Sequence, residues 1–134
     1  MRRTIVLALV AVAALVAGTV SFAKATGKVS ATEKEFKITA SPSSTSGGKT
    51  TFSVKNIGHL KHEFIVLQTN TPASKLKLKG STAVLSGTVA GKITPFSPGQ
   101  TKSLTVTLKP GHYILLCNLP AHYAAGQRLD FTVK

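Results

Sequence analysis

Residues 113–127 read Tyr113-Ile114-Leu115-Leu116-Cys117-Asn118-Leu119-Pro120-Ala121-His122-Tyr123-Ala124-Ala125-Gly126-Gln127. An apolar run of strand-forming residues ends at a thiol, and Asn118-Leu119-Pro120 turns the chain. A side chain at a strand end is held by the sheet yet lies beside a loop. That loop then brings back an imidazole at His122 and an amide oxygen at Gln127, each five positions after the last. Four intervening residues are enough to return an imidazole to within ~4 Å of a thiolate, the reach a shared metal requires.

Outward from this stretch, short strands separated by turn residues account for the rest. Residues 35–40, 50–55 and 103–108 alternate polar and apolar, as half-buried strands do. Residues 62–67 form an apolar strand rich in β-formers, and residues 112–117 and 129–133 are two more. Residues 41–48 are a Ser/Gly/Pro loop, and Lys109-Pro110-Gly111 is a tight turn. Residues 26–34 read as a polar lead-in and residues 80–98 as irregular with brief extended pieces. Lys75, Lys77 and Lys79 fall on one face of an expected solvated edge strand, where lysine opposes edge-to-edge pairing. Past the N-terminus no amphipathic pattern exceeds a turn or two of helix. About five to eight short strands with frequent turn signals predict an all-β Greek-key β-sandwich or barrel.

The first 25 residues have a different character. Arg2 and Arg3 precede an uncharged, largely apolar run over residues 5–20, and Ser21-Phe22-Ala23-Lys24-Ala25 ends in an Ala-x-Ala pattern. This is the layout of an export signal cleaved after Ala25. The apolar run falls short of the ~20 residues that span a bilayer, so a retained anchor is the weaker reading; no cysteine near the site supports lipidation. Sec and twin-arginine routes both remain open. Residues 26–134 then form one domain, exported to the periplasm, cell envelope or medium and membrane-associated only if the leader is retained.

Cys117 is the sole cysteine among 134 residues. It has no partner for an internal disulfide, and an odd cysteine in an exported chain calls for an intermolecular bridge, a reactive thiol or a metal. The chain has 17 Lys+Arg against 4 Asp+Glu. With Arg2, Arg3 and Lys24 lost in the leader, 14 basic and 4 acidic residues remain, a formal charge of +10. Arg128 is then the single arginine, which suits nucleic-acid recognition poorly. The charge fits an acidic protein partner or an anionic envelope surface, or serves solubility alone.

Two imidazoles, one thiolate and a weak fourth donor make the ligand set of a mononuclear type 1 copper site. His122 and Cys117 are joined by spacing. His62 is the second imidazole, since a strand start holds it rigidly; His59, three residues earlier, lies in a loop, and His112 falls on the opposite face of its strand from Cys117 and reads as a surface residue. Gln127 is the candidate axial ligand through its side-chain oxygen. Structural zinc favours several thiolates in close pairs, a Cys-His nucleophile lacks an orienting third group, and four acidic residues make paired-carboxylate catalysis improbable. Nothing marks an enzyme.

Three stretches carry a family resemblance. They are Val54-Lys55-Asn56 with His62-Glu63-Phe64; Leu108-Lys109-Pro110-Gly111-His112-Tyr113; and Cys117-Asn118-Leu119-Pro120-Ala121-His122-Tyr123 with Gly126-Gln127 and Phe131-Thr132-Val133. The sequence resembles the cupredoxins, the small blue-copper proteins that include plastocyanin, azurin and stellacyanin. The resemblance implies the cupredoxin type of β-sandwich and one copper ion on His62, Cys117 and His122. Gln127 stands where most members have methionine and stellacyanin-like members have glutamine. Ala121 stands where glycine is common. The implied role is a monomeric one-electron carrier between redox partners. The alternative is an envelope copper carrier or buffer, which would more often show clusters of methionine or histidine.

Overall fold

The computed structural model describes residues 26–134; the expected leader, residues 1–25, lies outside them. In chain order the strands are β1 (Gly27–Lys34), β2 (Lys37–Ser41), β3 (Ser44–Thr45), β4 (Gly48–Asn56), β5 (His62–Gln68), β6 (Leu78–Lys79), β7 (Thr82–Ala83), β8 (Thr88–Phe96), β9 (Thr101–Leu108), β10 (Gly111–Leu116) and β11 (Arg128–Val133). One helical turn, α1 (His122–Ala125), stands between β10 and β11, and a 3₁₀ turn covers Ala73–Lys75. The strands pack as two sheets, β2-β1-β4-β9 and β3-β11-β10-β5-β8, with β6 and β7 as a separate small hairpin. β1 runs parallel to β4 and β3 parallel to β11; the remaining pairs are antiparallel. The chain passes between the two sheets at β2–β3, β3–β4, β4–β5, β8–β9 and β9–β10, which makes the sandwich expected from the strand pattern.

Alternation decides which side chains fill it. β4 sends Phe52 and Val54 inward, β5 sends Phe64 and Val66, and β11 sends Phe131 and Val133; all are at most 2 % exposed. β5 has apolar residues on both faces because both are covered. Ile65 and Leu67, with Ile114 and Leu116 of β10, form a second core on the outer side of their sheet, beneath Ala73, Leu76 and Ala83. Residues 69–86 are that cover.

This cover explains one departure from the sequence reading. Residues 75–79 form no lysine-faced edge strand: Leu76 is buried in the second core, while Lys75 in a 3₁₀ turn, Lys77 in the link after it and Lys79 in a two-residue strand are all exposed. Within residues 26–34, read as a lead-in, Gly27–Lys34 is a full strand in the interior of a sheet. Residues 35 and 36, read as strand, are the turn between β1 and β2. Residues 88–96, read as irregular, form a nine-residue strand. β8 is an edge strand and its pairing to β5 shifts register twice, which is where Gly and Pro are tolerated in a sheet. A Cβ at Gly91 would lie 2.5 Å from Val106 Cγ1, so glycine there lets β8 approach β9.

Candidate metal centre

The fold brings three of the singled-out side chains to one end of the sandwich. His62 is the first residue of β5, Cys117 follows the last residue of β10, and His122 opens α1. β5 and β10 are hydrogen-bonded neighbours, so the 55 positions separating His62 from Cys117 cost nothing in space. The ligand atoms of His62, Cys117 and His122 all lie within 4.8 Å of one another. His62 Nδ1 is 3.2 Å from His122 Nδ1, and Cys117 Sγ is 3.4 Å from the same His122 nitrogen. His62 and Cys117 are fully buried and His122 is 9 % exposed, so His122 is the edge of the cluster toward solvent. Gln127 joins them: its Nε2 lies 2.8 Å from His62 Nδ1, and its Oε1 is buried without a hydrogen-bond partner.

Local structure holds each member. The Cys117 N–H donates to Gln127 O, and Gln127 N–H to His122 O, closing the loop on itself. Gly126 makes this possible at φ 120°, a conformation side-chain-bearing residues rarely take. Asn118 clamps the loop to β7, accepting from Ala83 N at 2.7 Å and donating to Ala83 O at 3.0 Å. On the other side Asn56, fully buried, donates to Leu60 O and Phe96 O and accepts from Gly58 N. It thereby fixes the loop that delivers His62.

Two acidic residues that sequence reasoning passed over complete the surroundings. Glu35 accepts from His62 Nε2 at 3.0 Å and from the backbone N–H groups of His59 and Leu60. The Leu60 N–H foremost, then that of His59 and the His62 ring, hold its carboxyl down at about 2. An ionised carboxylate only accepts, so His62 Nε2 carries a proton and Nδ1 presents its lone pair to the cluster. Burial lowers the His62 pKa despite Glu35, which keeps the ring neutral and available as a ligand. Glu33 is fully buried, and neither of its carboxyl oxygens has a partner. Burial pushes it up to about 8, helped by Glu63 and opposed by the neighbouring Gln127 amide. Glu33 had a signal in sequence, since it continues the inward row Val29, Ala31; Glu35 sits in a turn and had none.

Cys117 accepts from the Glu63 N–H at 3.4 Å. Burial, with Glu33 and Glu63 adding to it, raises the thiol to about 11 against the backbone donors of Glu63 and Leu119. Without a cation it is an unreactive thiol; a bound metal ion displaces its proton. The three convergent donors, two imidazole nitrogens and one sulfur, suit copper better than the hard cations. His59 stays outside, its side chain 99 % exposed. His112, expected at the surface, is half-buried: it bridges Thr69 O at 2.5 Å and Asp130 Oδ1 at 2.7 Å. Asp130 also accepts from Ala73 N, so this pair staples the cover segment to the sheet.

No protein-family model and no curated protein sequence matches this chain. Solved structures do match in fold. Rusticyanin from Thiobacillus ferrooxidans superposes with a TM-score of 0.64 at 17 % identity, covering 84 % of this chain and 80 % of its own. Auracyanin A, a "blue" copper protein from the green thermophilic photosynthetic bacterium Chloroflexus aurantiacus, gives 0.60 at 17 % identity, over 82 % of this chain and all of its own. The reduced auracyanin of the photosynthetic bacterium Roseiflexus castenholzii gives 0.57 at 20 % identity, over 81 % and 96 %. The chain therefore has the cupredoxin fold.

Proposed function

We propose that this protein is an exported one-electron carrier that binds a single type 1 copper ion through His62, Cys117 and His122, with Gln127 as the axial ligand. The observation that carries the reading is the buried convergence of those three ligand atoms within 4.8 Å at one end of a cupredoxin sandwich. When bound, copper would supply a one-electron couple at a site whose ligands suit both oxidation states. The chain does the rest. Sheet and loop fix the donors, full burial keeps His62, Cys117 and Gln127 from solvent while His122 is 9 % exposed, and Glu35 sets the tautomer of His62. Pro120 and Ala121, exposed beside His122, with Phe36 packed edge-on against its ring at 5.1 Å, offer a partner a small apolar landing around the solvent-facing edge of that ligand.

The visible absorption and EPR spectra of the Cu(II)-loaded protein test this against Cys117→Ser. An intense blue band with narrow hyperfine splitting, both lost in the variant, is expected. A pale spectrum unchanged by the substitution would remove Cys117 from the site. Gln127→Met is expected to raise the reduction potential, because an amide oxygen favours Cu(II) more than a thioether does; a redox titration giving equal or lower values would refute axial ligation by Gln127. A reversible one-electron cycle without copper loss separates an electron carrier from a metal carrier.

A further inference from the structure

β1 turns Val29, Ala31 and Glu33 inward in succession, at 1 %, 2 % and 0 % exposure. The row begins apolar and ends in a carboxyl whose two oxygens lack any hydrogen-bond partner. Burying an unpaired polar group is costly, and such a group in a native fold calls for an explanation. The other buried acid, Glu63, is already paired with Lys92 at 2.8 Å. Beside Glu33 lies the Gln127 side chain, whose Oε1 is equally buried and unpartnered. Two orphaned polar groups thus adjoin next to the ligand cluster.

The Gln127 amide turns its nitrogen to His62 Nδ1, 2.8 Å away. That suits a bare imidazole, whose lone pair accepts an N–H. It does not suit a metal on the same lone pair, because the amide nitrogen has only protons to offer while the amide oxygen has lone pairs. Turning the amide end for end keeps its shape and sets the oxygen toward the cluster. The NH₂ group then needs an acceptor, and the Glu33 carboxyl, near enough for the Gln127 amide to lower its pKa, is a buried neighbour whose oxygens have no other partner.

We propose that Glu33 is a positioning residue for the axial ligand: it accepts from the Gln127 NH₂ and thereby fixes the Gln127 oxygen toward the metal. The inference rests on the copper site proposed above and specifies how that site selects oxygen over nitrogen. It is tested in the copper-loaded protein with Glu33→Leu and Glu33→Gln, each alone and combined with Gln127→Met, reading copper hyperfine splitting and reduction potential. Glu33→Leu should change the splitting and raise the potential toward that of Gln127→Met. Glu33→Gln keeps an acceptor oxygen and should stay close to wild type. In the Gln127→Met background Glu33→Leu should shift neither quantity, since the residue it acts through is gone.

Equal shifts with and without Gln127, or Glu33→Gln behaving as Glu33→Leu, would mean that Glu33 acts on the metal by charge and overturn the proposal. An unshifted Glu33→Leu would overturn it too. If the leucine variant does not fold, Glu33→Ala carries the same expectations. Failure of the copper reading itself looks different: the wild-type protein would show no intense thiolate band.

Discussion

At the scale of single residues, the candidate site is governed by which atom each side chain turns toward the cluster. Glu35 is the clearest case. A carboxylate on the far nitrogen of a ligating histidine makes the ring a stronger donor and steadies its orientation, and a stronger donor favours the more highly charged Cu(II). Glu35→Gln keeps the hydrogen-bonding shape and removes the charge, so it should raise the reduction potential while leaving the fold intact; an unchanged potential in redox titration would deny Glu35 any electronic role. Cys117 gives the pH dependence. Its thiol is raised to about 11, so at pH 7 the metal-free protein holds a proton there that the metal-bound protein does not. Metal affinity should therefore rise with pH, by up to about tenfold per unit from this group while the pH stays below 11. Calorimetric Cu(I) titration in buffers of different ionisation enthalpy should register about one proton released near neutrality, and none in Cys117→Ser.

At the scale of elements, the loop between β10 and β11 is compact because one turn of helix and two special backbone positions let it fold back on itself. Gly126 is one of these. Ala121, the residue before α1, is the other, at φ 67°. A left-handed conformation strains any residue with a Cβ by roughly 1–2 kcal/mol, and a glycine returns part of that as unfolded-state entropy. Ala121→Gly should thus stabilise the protein by about 0.5–1 kcal/mol, seen as a higher denaturation midpoint with an unchanged slope; a lower midpoint would show that the Ala121 side chain contributes packing that outweighs the strain.

The same scale marks what was legible in sequence. Cys117, His122 and Gln127 were readable because their spacing is local, and His62 because it opens an apolar strand. β1 was missed because the acid at its third inward position hid the alternation of Val29 and Ala31, and an unpaired acid in a core contradicts every compositional expectation. β8 was missed because Gly87, Gly91 and Pro95 are turn signals that an edge strand can absorb. Glu35 was invisible because its partners, His62 and the His59 and Leu60 amides, are 24 to 27 positions away, and no periodicity links a turn to a distant strand end.

At the scale of the whole molecule, the excess of positive charge is the property that still needs a use. Lys75, Lys77 and Lys79 are all exposed on the segment that covers the outer sheet face. That segment is tied to the loop between β10 and β11 by the hydrogen bond from Ala121 N to Ser81 O and by the Asn118 clamp on Ala83. Lys37 and Lys61, also exposed, follow Phe36 and precede His62. The positive field is therefore anchored near the end where His122 reaches the surface, and a negatively charged partner approaching that end is attracted before contact. Charges of this kind act through association rate and are screened over about 10 Å at 0.1 M salt. Stopped-flow oxidation of the Cu(I) protein by hexacyanoferrate(III), an anion, should slow as salt rises, by about tenfold across the range where screening sets in. Oxidation by a cationic cobalt(III) complex should accelerate instead. Replacing Lys75, Lys77 and Lys79 together by glutamine should flatten both dependences without moving the reduction potential by more than a small amount, because exposed charges act weakly on a buried site. If both oxidants respond to salt alike and the triple variant matches wild type, the lysines serve solubility and the partner is recognised by the apolar rim around His122 alone.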